Sequence, residues 1–576
     1  MDFSYFELRA HYYATEQNLT IHCRLADLES IWFCTAKNCK RKLRKYESEG
    51  LLRYTPGRGR GNSSTLTFSL PFKQEVEEMV TSLVAADRLD DLLTFLQLPI
   101  PKQWITGLTT ELNQLFGFQG PHAQKDILRT IIARKLTTLD PLFSSITFES
   151  FLIGQLGDPL VTYNKEMDKI EPRIAHHWKS NDSHTLWTFY IRKGIQFHDH
   201  STLTTKDIEY TFNRFKAVDN AYSWVVEHID RMNLLSDYTI EFYLKEQNPL
   251  FLRFISIANF SILPHHISFD EKEWVGSGAF RLKENSDQKI VLSAFDSYFL
   301  ERPILDEVQF VRVDHSALHN VTFHLENEEE QIQLQKTKEI EVGYRFLVFN
   351  FHRSAIVNDA KFREAIYHLL DMKRMWRDLD REHLVEASGN FYWNSEERDR
   401  SFEKVRELIE ESSYEGETLR VYQLNKEHAI EEANWFMEAG KKVGIQLELH
   451  LFQLDSFYTE DFEQHADFIF MGEVSSSDHH VSFYGSFKNK ALLFRRMLLP
   501  SHLGKIDSYL NQFKMESSTA KREQIINEIE SYIKRENLIL YMHHPIKQQT
   551  FHPMIQDIQF DSFGYVDLRR LWVGKV

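Results

Sequence analysis

The chain predicts a mixed α/β protein in which a small head of helices and one hairpin precedes a larger α/β body. Three observations carry this. From about Gln124 onward, short apolar strands and amphipathic helices alternate to the C-terminus. The first 70 residues read instead as three helices followed by two strands around a glycine-rich loop. At 576 residues the chain is also too long for a single hydrophobic core.

The head begins with Phe3 to Tyr13, where Phe6, Ala10 and Tyr13 recur at helical spacing. Thr20 to Trp32 reads as a second helix with Leu25, Leu28, Ile31 and Trp32 as its apolar stripe. Phe33 and Cys34 make a short turn. Thr35 suits the N-cap of a third helix, because its hydroxyl can accept from a free backbone N–H. Cys39, Leu43 and Tyr46 turn inward from that helix, and Gly50 ends it. Leu51 to Thr55 and Leu66 to Ser69 read as strands joined by Gly57-Arg58-Gly59-Arg60-Gly61. This order is that of a winged helix-turn-helix.

Charge gives the head a purpose. Between Thr35 and Arg60 lie nine Lys and Arg against Glu47 and Glu49, a local charge of +7 in a chain of −16. The remainder therefore carries −23. A basic helix and wing on an acidic protein is the footprint expected for a phosphate backbone. The helix spans roughly 22 Å at 1.5 Å per residue, long enough to lie in a major groove about 12 Å wide. Candidate DNA contacts are Thr35, Lys37, Asn38, Lys40, Arg41, Arg44 and Lys45 on the helix, with Arg58 and Arg60 on the wing. Of these, Thr35, Lys37, Asn38 and Arg41 are placed to read base edges.

The head is assigned to residues 1–70. Residues 71–122 form a helical connector, periodic from Phe72 to Leu98 and punctuated by Pro99 and Pro101. Its apolar stripe leaves two readings open: a homodimer contact, or packing on the head. In the body, Ile127 to Ala133, Leu186 to Arg192, Ile240 to Leu244, Ile290 to Ala294, Val308 to Val313, Phe346 to Phe351, Leu419 to Leu424 and Ile445 to Phe452 read as strands. Thr205 to Lys216, Ala360 to Leu370, Phe402 to Glu411, Ala429 to Lys442 and Ala520 to Glu536 read as helices.

No stretch approaches the roughly 18 apolar residues of a membrane span. The N-terminus lacks a basic n-region and a continuous apolar core, so the expectation is a cytoplasmic chain without membrane insertion. The three cysteines, Cys23, Cys34 and Cys39, match no common zinc spacing and read as buried small thiols.

The body carries motifs of a known family. Arg192-Lys193-Gly194-Ile195-Gln196-Phe197-His198-Asp199-His200, followed by Leu203-Thr204-Thr205-Lys206-Asp207-Ile208 and Tyr210-Thr211-Phe212, resembles the "RKGvkFHDG" and "lTAxDVxyT" signature of bacterial extracellular solute-binding proteins of the dipeptide and oligopeptide type (family 5). Val275-Gly276-Ser277-Gly278-Ala279-Phe280 is similar to that family's "vGTGPY". Arg363-Glu364-Ala365-Ile366 with Leu369-Leu370-Asp371 resembles "RqAlxxaiDr", and Pro172-Arg173-Ile174-Ala175 with Trp178 resembles "PxLAxxW". Fused to such a head, the body resembles SgrR-type transcription regulators.

The resemblance implies a two-lobe, type II periplasmic-binding-protein fold over residues 123–576. Lobe I would be about 123–345 with about 545–576, and lobe II about 346–544. It also implies hinge closure on a small solute, here a sugar, sugar phosphate or peptide, and a link to sugar-phosphate stress and sugar transport. One departure bears on the ligand. Where peptide-binding members carry "gWxADYxDP", this chain has Gly472-Glu473-Val474-Ser475-Ser476-Ser477-Asp478, so Glu473 replaces the Trp and Ser476 replaces the Asp that pairs with a peptide amine. His200 stands where the family has Gly.

Ligand-binding candidates are Glu473, Ser476 and Asp478, with Trp224, Phe483 and Tyr484 as stacking residues. His198-Asp199-His200 reads as a surface turn without a metal. The pairs His176-His177, His265-His266, His479-His480 and His543-His544 read as surface or hinge residues. No phosphate-binding glycine loop, nucleophile elbow or acid/base pair is present, so neither an enzyme nor a cofactor is expected. Two functions follow. One is a transcription regulator that binds double-stranded promoter DNA and responds to a small solute. The alternative is a binding protein of an ABC transport system whose head binds a protein partner. A steep salt dependence of DNA binding separates them.

Overall fold

The structure, a computed structural model, describes residues 3–57, 63–86, 88–96, 98–101, 104, 117–119, 125–132, 135–312, 335–340, 342–381, 384–396, 399–457, 459–476, 478–551, 555–556 and 565–573. The chain forms two compact units. One comprises Met1–Lys135, Lys283–Leu292 and Leu305–Ile332; the other comprises Leu136–Leu282, Ser293–Ile304 and Gln333–Val576.

The first unit contains the winged helix. Helices Ser4–Tyr12, Leu25–Ile31 and Ala36–Ser48 pack with a three-stranded antiparallel sheet of Thr20–Cys23, Ser64–Phe68 and Leu52–Thr55, with Ser64–Phe68 in the middle. One expectation is corrected here. Thr20 to Trp32 is not one helix but a strand followed by a short helix. The strand alternates in the period of two that a half-buried strand requires, with Ile21 and Cys23 inward and Thr20 and His22 outward. Arg24 then starts the helix, its backbone N–H donating to Asp27 Oδ2 at 2.9 Å.

The first part of the connector packs on the head. Helix Phe72–Ala85 buries Phe72, Val76, Val80 and Leu83 in the same apolar cluster as Leu8, Leu43, Tyr46 and Leu66. A fully buried Arg9 ties the two together. It reaches Glu75 at 2.8 Å and Glu16 at 3.0 Å, and its guanidinium stacks 3.9 Å over Phe68. A helix Leu89–Leu96 follows. Val311 joins this cluster from strand Glu307–Arg312, which runs parallel to Ile127–Ile132.

In the second unit two sheets define two lobes. The first lobe holds a four-stranded antiparallel sheet, in the order Ile229–Ser236, Thr239–Leu244, Leu186–Ile191, Ala175–Ser180. Helix Thr205–Ala217 lies with it and opens with a capping box, Asp207 Oδ2 accepting from Thr204 N at 2.7 Å. The second lobe holds a five-stranded mixed sheet in the order Leu447–Phe452, Leu419–Leu424, Phe468–Val474, Gly343–Phe349, Ile539–Tyr541. Helices Ala360–Leu369, Phe402–Glu411, Glu427–Lys442 and Thr519–Arg535 belong to this lobe.

The family motifs act as scaffold. His198 is buried, which corrects its reading as part of a surface turn. Its Nδ1 accepts from Gly276 N at 3.2 Å, so Nε2 carries the proton and donates to Gly278 O at 3.1 Å. The "FHD" and "GSG" segments thereby hold each other. A Cβ on Gly276 or Gly278 would collide with the backbone of Leu156 or Gln155. His200 sits at φ +67°, the left-handed region that the family's Gly enters freely. His480, His543 and His544 are also buried rather than at the surface.

Candidate functional site

The basic helix Ala36–Ser48 presents the face that a nucleic-acid reading requires. Cys39, Leu43 and Tyr46 are buried, and Thr35, Lys37, Asn38, Lys40, Arg41, Arg44 and Lys45 are all exposed. Lys42 is the exception among the cations. It is partly buried, lies 5.4 Å from the Trp32 ring and contacts Ser4 Oγ. Thr35 occupies the N-cap with extended backbone, is exposed, and makes no side-chain cap bond. Gly50 closes the helix at φ +75°, with Leu51 N donating to Tyr46 O at 3.0 Å. Arg58 and Arg60 of the wing tip lie outside the described residues.

Lysine and arginine on this face offer point charges and planar forks to phosphate and base edges. The nearest acidic neutraliser is weak: Lys45 meets Glu49 at 3.8 Å with both side chains about half exposed.

The second site lies where the two lobes of the second unit meet. Asp478 is the N-cap of helix His479–Lys488, with Oδ1 accepting from Val481 N at 3.1 Å. The same carboxylate takes a two-pronged bond from Arg253 of the other lobe, Nε to Oδ2 at 2.6 Å and NH2 to Oδ1 at 2.8 Å. Both side chains are at most a tenth exposed. Arg253 also lies 3.4 Å from Asp168 and 4.4 Å over the Tyr163 ring. Tyr163 OH donates to Asp168 at 2.8 Å, and Thr519 Oγ1 donates to Asp168 from the second lobe at 3.2 Å. A charged network thus runs across the lobes. Lys514 with Glu246, and Lys490 with Asp219 at 3.1 Å, add two further crossings.

The other ligand candidates are engaged within the protein. Ser476 bonds Ser482 through its backbone N and its Oγ, each at 2.8 Å. Glu473 pairs across the sheet with the buried Tyr344, and burial pushes its carboxyl up to about 7. Trp224 and Tyr484 are buried against each other, with ring centroids 5.3 Å apart and Phe254 completing the cluster at 5.0 and 5.1 Å. They form an aromatic seam between the lobes, and Phe483 is buried beside it.

Two aromatic residues were not singled out by sequence. Trp393 stacks on Phe391 at 4.9 Å with the rings 3° from parallel, and His479 sets its edge against both. Trp393 is 47% exposed and Tyr392 37%, and Trp393 packs beside His479, the residue that follows Asp478. The Phe391-Tyr392-Trp393 run was the available signal, since consecutive aromatics cannot all point into one core.

Two clusters have metal-like composition among the described residues: Asp207 with His265 and His266, and Glu523 with His479 and His480. In the second, Arg522 Nε donates to His480 Nδ1 at 3.1 Å. Nε2 must then carry the proton, and it donates to Glu523 at 2.7 Å. Burial works against the Glu523 charge, but bonds from His479 and His480 hold its carboxyl down at about 2. The bond from His480 is a charge-assisted hydrogen bond from a neutral imidazole to a carboxylate, and a cation on Nε2 would displace its proton. In the first cluster Asp207 is committed to its capping box and to His265 at 2.6 Å.

Comparison with known proteins agrees with this geometry. Residues 169–491 match the family of bacterial extracellular solute-binding proteins, family 5 Middle. Residues 2–118 match the family described as sugar transport-related sRNA regulator N-term. The chain is 26% identical over 571 residues to the uncharacterised protein YhjP of Bacillus subtilis, covering 96% of each. It is 23% identical over 569 residues to the HTH-type transcriptional regulator SgrR of Photorhabdus laumondii, covering 95% of this chain and 94% of that one. Among solved structures, the oligopeptide-binding protein AppA of Bacillus subtilis, in complex with a nonapeptide, superposes with a TM-score of 0.67 at 17% identity. It matches over 78% of this chain and 99% of its own. The Helicobacter pylori protein DppA, in complex with peptide STSA, gives 0.68 at 17% over 78% and 98%. The two-lobe fold is therefore shared with these proteins. No helix among the described residues is long and apolar enough to cross a membrane.

Proposed function

The chain belongs to the family 5 bacterial extracellular solute-binding proteins and carries an SgrR-type N-terminal domain, and from that premise we propose that it is a solute-responsive, DNA-binding transcription regulator working in the cytoplasm. The single observation that carries this is the exposed, almost unopposed basic face of helix Ala36–Ser48 in a winged-helix setting. Lys37, Lys40, Arg41, Arg44 and Lys45, with Arg58 and Arg60, fix the protein on double-stranded promoter DNA. Thr35, Asn38, Lys37 and Arg41 read base edges. The acidic remainder repels DNA elsewhere and orients the complex.

The residues at the lobe junction favour a neutral, hydroxyl-rich solute such as a sugar over a peptide. The three motif side chains that would hold a peptide ammonium are poorly suited to that task. Ser476 carries no charge, Asp478 is already paired with Arg253, and burial raises the Glu473 carboxyl to about 7, so that it is only partly charged near neutral pH. What stands beside it instead is hydrogen-bonding groups and the half-exposed Trp393 ring, an aromatic surface suited to the C–H groups of a sugar ring. The solute acts by biasing the lobe arrangement, which the Arg253–Asp478 bridge stabilises.

The test is a thermal-shift screen of the full chain against sugars, sugar phosphates and short peptides, paired with salt-titrated binding to a duplex from its own upstream region. A ligand at 100 times its Kd adds roughly 2.7 kcal/mol to stability. Log K falls by about 0.9 per phosphate contact for each unit of log salt. Stabilisation by sugars with steep salt dependence is the expected outcome. Stabilisation by peptides alone with no duplex binding points to the transport-type binding protein.

A further inference from the structure

The basic helix carries a feature that DNA binding does not use. Cys34 precedes the N-cap Thr35, and Cys39 is the fourth helical residue. These are the two positions whose side chains meet across a helix start, fixing the angle at which the chain enters. Here both are cysteines, with Sγ atoms 3.4 Å apart and neither in a disulfide. Cys39 is fully buried, and burial pushes its thiol up to about 12. Cys34 is partly exposed. In the turn beside it Phe33 is 93% exposed and sits at φ +45°, a conformation that a bulky side chain resists, while Cys34 N donates to Glu29 O at 3.2 Å.

We propose that Cys34 and Cys39 form a reversible dithiol–disulfide site, oxidised by peroxide, that resets the N-terminus of the basic helix. Cys34 is the sulfur that solvent reaches, so its thiolate attacks one peroxide oxygen. The O–O bond breaks, leaving Cys34 as a sulfenic acid and releasing hydroxide, which takes up the thiol proton as water. Cys39 sulfur then attacks Cys34 sulfur, the S–O bond breaks, and the departing hydroxide takes the Cys39 proton as a second water. Two electrons pass from the sulfurs to the peroxide. A dithiol reductant reverses the bond by exchange. A disulfide at about 2 Å draws the sulfurs together by more than an ångström. That movement falls on Thr35, Lys37 and Asn38, within one turn of the linkage.

The test uses the full chain. Hydrogen peroxide treatment, blocking of free thiols and non-reducing tryptic digestion are expected to give one disulfide joining the peptide 25–37 to the peptide 38–40, removed by dithiothreitol, with Cys23 still blocked as a free thiol. Cys39→Ser is expected to leave Cys34 as a sulfenic acid that dimedone captures. Cys34→Ser, a change at the partly exposed position, is expected to abolish both products. Oxidation is expected to change affinity for a fluorescein-labelled duplex from the upstream region by fivefold or more, and the C34S protein to be indifferent to peroxide. Only this last readout rests on the DNA-binding reading. If the reduced chain binds no duplex, that reading fails while the linked peptide still decides the site. Peroxide that drives Cys34 to higher acids with no linked peptide overturns the proposal. A linked peptide with unchanged duplex affinity overturns the resetting of the helix.

Discussion

The basic helix of the head and the lobe junction of the body hold their charges in opposite ways. On the basic helix the cations Lys37, Lys40, Arg41 and Arg44 stand exposed. At the lobe junction Arg253 and Asp478 are buried and bound to each other. An exposed cation contributes little to folding and is available to a partner. A buried pair is committed to the fold, and either member left alone is costly. Charge substitutions should therefore cost binding on the basic helix and stability at the lobe junction.

The largest effect that tests this contrast is in the head. Lys37→Ala with Arg41→Ala removes two contacts worth about 1 to 3 kcal/mol each. Duplex affinity in a mobility-shift assay should fall at least thirtyfold, while the melting temperature stays within a degree or two. Unchanged affinity would move the recognition surface off this helix. In the body, Arg253→Ala strands the Asp478 carboxylate and should lower unfolding free energy in urea by about 3 to 5 kcal/mol. The pair Arg253→Met with Asp478→Asn removes both buried charges of the bridge and keeps a capping side chain, so it should cost far less. Equal losses in the two proteins would mean that burial of the charge is not the source of the effect.

Acid should sharpen the contrast further. Burial lowers His198 and His228 to about 4 and His543 to about 3. The unfolded chain protonates these residues near 6.5, so between pH 6.5 and 4 it binds more protons than the folded chain. Their contribution is fully present above pH 6.5 and is lost as pH falls toward 4, at up to roughly 3 kcal/mol per residue. Melting temperature measured from pH 7 to 4 should drop for the body, and His543→Gln should flatten that drop. The smallest effect separates two helix caps. Asp359 accepts from Lys361 N at 2.8 Å and from Ser413 N at 2.7 Å, so Asp359→Ala should cost about 1 kcal/mol. Thr35 makes no cap bond, and Thr35→Ala should stay within about 0.5 kcal/mol while weakening duplex binding.

The same contrast explains what the sequence made legible. Cys39, Leu43 and Tyr46 announced the buried stripe of the basic helix because helical periodicity follows directly from burial on one side. Strands such as Leu419–Leu424 and helices such as Phe402–Glu411 were readable for the same reason. Thr20–Cys23 was misread because four residues are too short for a period of two to stand out against the helix that follows. At the junction, Ser476 and Asp478 were legible through a family motif. Arg253, 225 residues away, was not, since no local pattern marks a partner brought in by tertiary folding. Histidines 480, 543 and 544 misled because a polar side chain reads as exposed until its hydrogen-bond partner is known.

The account rests on coupling between the two regions, and duplex affinity measured with and without solute tests that coupling most directly. Full-length protein should be titrated with the upstream duplex in the presence and absence of each sugar that raises its melting temperature. A change in affinity of about 5- to 150-fold, the usual range for coupled sites, is the predicted result. A sugar that stabilises the protein yet leaves duplex affinity unchanged would contradict it.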